Sequence, residues 1–192
     1  GVQLLPTLFR DFKNLYPEIE LEVVEAGGID SLRMIENEEL DLAVTNYDDS
    51  FSPNLHYRKL FKSEACFCTY PDHPLAQKKY VDTKDIANEP LVLLNGGFFV
   101  NRLIYQNFQQ ALTAPKVILH SSQLHTVKNL ISSQIASSFL MRQAITASDN
   151  IIPLSLKKPL FINSGIVTKR GRQIYGDEQK LIEFIYDNQP LG

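Results

Sequence analysis

Apolar residues recur at helical spacing at Leu4, Leu5, Leu8, Phe9, Phe12 and Leu15, which predicts a first helix. Pro6 fits a first helical turn, and Pro17 ends the helix after Tyr16. Residues Glu18 to Val23 then alternate strictly between acidic and apolar, the pattern of a strand with one solvated face. Gly27-Gly28 breaks that strand, and Asp30 or Ser31 is placed to cap a short helix carrying Leu32, Met34 and Ile35. Leu40 to Thr45 is a nearly continuous apolar run, expected of a buried parallel strand.

A further strand is predicted over Glu64–Tyr70, closed by the turn Pro71-Asp72-His73-Pro74. Beyond it the pattern predicts a short helix over Thr83–Ala87 capped by Asp82, and a strand at Leu91–Leu94. A helix over Asn101–Leu112 and a strand at Lys116–His120 follow. Ser121 or Ser122 is expected to cap a helix running to Ser132. Next come a strand at Ile135–Met141, a short helical turn at Arg142–Ala147, a strand through Leu160–Lys169 and a last helix over Gly176–Asn188. Strands alternating with helices argue for an α/β fold. Two crossings, near residue 70 and within Leu160–Lys169, divide the chain into two lobes.

The 192 residues are 44% apolar, enough for a sizeable core in one large domain or two small ones. Nineteen Lys and Arg stand against 22 Asp and Glu, a net charge of -3, which argues mildly against nucleic-acid binding by this chain. No apolar run approaches the ~20 residues that span a bilayer, and no secretion signal is evident. The opening residues, Gly1 to Pro6, read as a chain entered partway through a protein. Cys66 and Cys68 share one face of a strand and are expected as unbridged thiols in a reducing cytoplasm.

Catalytic signatures are missing. His56, His73, His120 and His125 lie in separate segments without an obvious partner, and no nucleophile elbow, phosphate loop or zinc motif occurs. Neither catalytic residues nor metal ligands are assigned. Binding is better supported. Ligands of open α/β sheets sit beyond the carboxyl ends of strands, at helix N-termini whose free N–H groups suit anions. Asn46 follows one predicted strand, Asn95, Gly96 and Gly97 another, and Ser121, Ser122 and Gln123 a third. Phe98 and Phe99 either wall such a site or belong to the core. The cluster Lys169-Arg170-Gly171-Arg172 reads as a solvated loop.

Several motifs recur in one order: Leu4-Leu5-Pro6 with Phe12 and Tyr16-Pro17, then Leu40-Asp41-Leu42-Ala43-Val44, then His73-Pro74-Leu75-Ala76. Together they resemble the effector-binding domain of LysR-type bacterial transcriptional regulators. The resemblance implies a periplasmic-binding-protein-like fold (type 2) of two α/β lobes, residues 1–69 with 169–192 and residues 70–168, joined by two hinge strands. It implies a small effector, plausibly an anion, bound between the lobes near Asn46, Asn95–Phe99 and Ser121–Gln123, with no cofactor and no enzymatic activity. It also implies a cytoplasmic protein. In its homodimer the helix Leu4–Leu15 of one copy packs near the helix Leu124–Ser132 of another, and the full-length regulator would be a tetramer. DNA would be bound only by an N-terminal winged helix-turn-helix outside this chain. A transporter's stand-alone solute-binding protein is the alternative. The strand and pocket loop before the first helix are expected to be missing. Gln134 and Ala136 stand where the family has glycine, and Met141 where it has proline.

Overall fold

The computed structural model describes residues 5–188. It divides into two compact units, residues 1–62 with 163–192 and residues 63–162. Both divisions fall inside long strands, β2 (Leu55–Thr69) and β8 (Leu160–Lys169).

In the first unit, α1 (Leu5–Leu15) buries Phe12, whose ring meets Tyr16 at 5.1 Å and Phe184 at 5.4 Å. Leu4, the predicted start of this helix, lies outside the described residues. Phe184 belongs to α5 (Gly176–Asp187), which packs Ile182 and Ile185 against Ile166 of β8. The helix α2 (Gly28–Glu36) begins earlier than its sequence suggests. Gly27 is the cap, and Asp30 lies in the first turn rather than capping it.

Two strand predictions are corrected here. Residues 18–23 form no strand, because no strand among the described residues lies beside them to complete a ladder. Ile19 alone is buried, held by its N–H to Tyr16 O and by Lys13 Nζ on its carbonyl. The apolar run after Leu40 becomes β1 (Leu42–Tyr47), which pairs antiparallel with β8 and is only partly buried.

The basic cluster after β8 is also less solvated than expected. Arg172 grips Glu178 with two guanidinium nitrogens at 2.8 and 2.6 Å and donates to Asp41 O, while Lys169 pairs with Glu38 at 3.5 Å. These contacts fix the turn that leads into α5. Hydrogen bonding to Glu178 holds the Arg172 guanidinium above its ordinary range, against the opposing effect of burial.

The second unit is built on β2, which begins at Leu55, well before the strand predicted over Glu64–Tyr70. It pairs antiparallel with β6 (Ser138–Met141) and β7 (Ile152–Leu156), and β7 pairs parallel with the short β3 (Tyr80–Val81). Neither β3 nor β7 is foreseen in the sequence, since each is short and β7 contains Pro153. A separate ladder joins β4 (Pro90–Leu94) in parallel to β5 (Lys116–Ser121). Against these strands lie α3 (Phe99–Gln110) and α4 (Leu124–Ser132). The core runs through Phe67, Phe139, Phe108, Ile104, Leu91 and Ile131, all buried.

The sharpest motif proves structural. His73 is buried, accepts the Leu75 N–H at Nδ1 (3.0 Å) and so caps the short 3-10 turn Pro74–Gln77. That bond puts the ring proton on Nε2, which donates to Glu89 at 2.8 Å. His120 and His125 also have partners, Tyr105 at 3.1 Å and Asn129 at 3.1 Å, which sequence spacing does not reveal.

Three helices end alike. Glu38, Leu112 and Gln134 follow the caps of α2, α3 and α4 with φ of 60°, 56° and 60°, each completing a paired 5→2 and 6→1 closure of the last turn. Glycine suits this left-handed position, which Glu38, Leu112 and Gln134 adopt at the strain that a Cβ brings. Replacing Leu112 or Gln134 with glycine should therefore stabilise the chain by roughly 0.5–1 kcal/mol each, read as a higher urea midpoint.

Cys66 and Cys68 are buried on β2. Burial pushes the Cys66 thiol up to about 12, with Arg142 opposing and Glu64 adding to the shift; burial raises Cys68 as well. Thiolate is the reactive form, so neither thiol should react with Ellman's reagent at about pH 8 until the chain is unfolded in guanidinium. Rapid reaction of the folded chain would contradict this burial.

Candidate functional site

Two neighbouring parallel strands end together in the second unit. Leu94 of β4 stands opposite Ser121 of β5, and the Asn95 N–H donates to the Ser121 carbonyl at 2.9 Å. Each strand leads directly into a helix. The loop Asn95–Phe98 enters α3, and Ser122–Gln123 enters α4.

The first loop is locked by its own side chains. Asn95 Oδ1 accepts the Gly97 N–H at 3.1 Å, and the Phe98 N–H reaches Asn95 O at 3.2 Å. Asn101, in the first turn of α3, donates from Nδ2 to Leu94 O at 2.7 Å and clamps strand end to helix start. Sequence reading missed Asn101, because its role depends on a contact seven residues back. Gly96 is exposed, with open space where a Cβ would stand. Phe98 packs partly on the core, and Phe99 is 2% exposed within α3, so Phe99 belongs to the core.

In the second loop the Ser121 hydroxyl accepts the Gln123 N–H at 3.1 Å. Neither serine caps α4, correcting the expectation. Gln123 occupies the cap position without a side-chain cap bond, while its Oε1 accepts from Thr126 Oγ1 at 3.3 Å. Ser121 is held back because its hydroxyl is spent on the turn. Ser122 is exposed and its hydroxyl makes no hydrogen bond among the described residues.

Both helices thus start beside each other with no side-chain cap and no acidic residue in the first turn. Their leading N–H groups have no intrahelical partners, and the positive ends of two helix dipoles are uncompensated. By contrast, α2 and α5 carry Asp30 and Asp177 with Glu178 in their first turns. The arrangement suits a carboxylate or another oxyanion.

Asn46, the remaining predicted residue, lies in the first unit. It sits within β1 rather than after it, and its Oδ1 accepts from Ser164 Oγ of β8. Among the described residues no group of three or more His, Cys, Asp or Glu is placed to hold a metal.

The LysR substrate binding domain model matches residues 1–189. The transcriptional dual regulator GltC of Bacillus subtilis (strain 168) is 26% identical over 192 residues, covering 95% of this chain and 62% of the regulator. MetR of Salmonella typhimurium, an HTH-type transcriptional regulator, is 30% identical over 92 residues, covering 48% of this chain and 29% of its own length. The chain spans 62% and 48% of the first two curated relatives. Among solved structures, the regulatory domain of CcmR from Synechocystis PCC6803 in complex with 2-PG superposes with a TM-score of 0.87 at 18% identity. The match covers 96% of this chain and 90% of that one. The effector binding domain of QuiR in complex with shikimate gives 0.81 at 19%, over 97% and 90%. At these identities the structures speak for the fold, which is of the periplasmic-binding-protein-like α/β class.

Proposed function

The chain belongs to the LysR substrate-binding domain family, and from that premise we propose that it senses a small anionic effector for a transcriptional regulator. The observation that carries this reading is the pair of uncapped, acid-free helix N-termini beyond adjacent parallel strands. Asn95, Gly96 and Gly97 on one loop and Ser121, Ser122 and Gln123 on the other contribute contacts. Phe98 offers apolar surface, and Phe99 supports the loop from the core. The relatives CcmR and QuiR, seen with 2-PG and shikimate, support a small oxyanion as the ligand class.

The relatives being transcription regulators favours this reading over a transporter's solute-binding protein. DNA recognition, control of transcription and a cytoplasmic location are carried with the proposal, and the chain itself is assigned no catalysis. No described helix is long and apolar enough to cross a membrane.

The proposal includes a homodimer in which α1 of one copy, from Leu4, packs near α4 of the other, and a tetramer for the full-length regulator. Its support is the unpaired apolar surface of each unit. Val23 and Val24 are exposed in the first, and Ile118 and Leu119 are exposed on β5, which pairs only with β4 among the described residues.

Thermal unfolding against a panel of small carboxylates, amino acids, sugars and phosphates tests the sensing role. A ligand at ~100 times its Kd should stabilise by about 2.7 kcal/mol. Selective stabilisation by an oxyanion is expected, and stabilisation by neutral sugars alone would contradict the site.

A further inference from the structure

Charge is distributed unequally between the two units. Residues 63–162 hold nine Lys and Arg against six Asp and Glu, a net charge of +3. Residues 1–62 with 163–192 hold ten against sixteen, a net charge of -6. The excess in the second unit collects around one pair of strands. β3 is preceded by Lys78 and Lys79 and followed closely by Lys84, while β7 runs into Lys157 and Lys158.

The register sets the end of β7 beside the end of β3. Tyr80 stands beside Ser155, Val81 beside Leu156, and the Lys157 N–H donates to Val81 O at 2.8 Å. Val81 and Leu156 point inward and are buried, so Tyr80 and Ser155 share the outward face, where Tyr80 is 50% exposed. Arg142 joins that face through a 3.1 Å bond from Nη2 to Ser155 Oγ.

Most arginines and several lysines elsewhere are neutralised by a carboxylate, as in Lys128–Asp149, Lys169–Glu38 and Arg172–Glu178. Here Lys78 pairs with Asp85 at 3.3 Å, and Lys157 reaches Asp85 only through its longer-range field. Lys79, Lys84 and Lys158 form no ion pair among the described residues. All five lysines are exposed.

We infer that the outward face of the β3–β7 pair, with Lys79, Lys84, Lys157, Lys158 and Tyr80, is a docking surface for the phosphodiester backbone of nucleic acid. Protein interfaces are depleted in lysine and need an apolar centre that excludes water. This face is rich in lysine, and its one large exposed group within the strands is the Tyr80 ring. Flexible ammonium groups flanking the ends of a strand pair suit phosphates as point charges, releasing counterions without reading bases. The contact would be independent of sequence and additional to recognition by any separate DNA-binding domain.

The test is fluorescence anisotropy of a labelled mixed-sequence duplex of ~30 base pairs titrated with the 192-residue chain. Neutralising about four phosphates, the affinity should fall about 100-fold between ~50 and ~200 mM salt. The variant carrying K79Q, K84Q, K157Q and K158Q should bind at least ~10-fold more weakly at low salt, with a flattened salt slope. Its thermal midpoint should match the parent's, since every changed side chain is solvated. Equal binding by that variant, or no binding by the parent at ~50 mM salt, overturns the assignment. So does binding of polyglutamate without binding of the duplex, which would make the face a site for acidic protein. Effector binding, measured in parallel, is expected to be unchanged in the variant. Its loss would point to a damaged fold, which a lowered thermal midpoint would register, and the lysines would then be replaced singly.

Discussion

Gly165→Ala is expected to destabilise the chain by roughly 3 kcal/mol or more. Gly165 lies in β8 opposite Thr45 of β1. A Cβ built there would fall 3.0 Å from the Arg58 carbonyl carbon and 3.0 Å from Lys59 Cα, and closer still to the Arg58 carbonyl oxygen. All three atoms are backbone, so no side chain can swing aside. β8 would have to move away from β2 within the first unit, weakening the ladder with β1 and the packing of Ile166 and Val167 beside it. Native domains are stable by only about 5–15 kcal/mol, so the loss should appear as a large drop in urea midpoint. A variant with an unchanged midpoint would mean that the close approach of β8 to Arg58 is not part of the folded state.

Phe139→Ala should cost about 3–5 kcal/mol. Phe139 is the middle ring of a buried aromatic row. It meets Phe67 edge-on at 5.7 Å and Phe108 at 6.2 Å. Phe67 comes from β2, Phe108 from α3 and Phe139 from β6, so one ring ties three elements of the second unit. Truncation removes the apolar transfer energy and leaves a cavity that two flanking rings cannot fill without losing their edge-to-face geometry. The midpoint of thermal unfolding should fall by on the order of 10 °C, whereas Phe139→Leu should lose much less. A fall of only a degree or two for the alanine variant would place the core elsewhere.

Much of this architecture is legible in the sequence because the signal is local. Phe12 with its helical neighbours, the apolar run of β4 and the cap at Asp82 each declare themselves within a few residues. What stays hidden depends on partners far along the chain. The alternation over residues 18–23 has the period of a strand, but a strand exists only as part of a ladder, and none forms there. β7 is obscured by Pro153, and Arg172 looks solvated until Glu178 is seen across the turn.

The site was legible in the same measure. Asn95–Gly97 and Ser122–Gln123 could be placed after strands by pattern alone, whereas Ser121 is the last residue of β5. That the strands are neighbours, with Leu94 opposite Ser121, is a matter of register that no spacing reveals. Asn46, which pattern placed just beyond its strand, is a strand residue bonded to Ser164. The His73 motif, which carries the resemblance by sequence, marks a cap and a hydrogen bond to Glu89 rather than a binding residue.

The central claim is that a small anion is held by the loops following β4 and β5. Backbone amide shifts of the isotope-labelled chain, followed during titration with whichever oxyanion stabilises it, test this most directly. The account predicts the largest changes at Gly96, Gly97, Ser122, Leu124 and His125, with α5 little affected. Changes centred on α1 and α5, with none in those two loops, would contradict it.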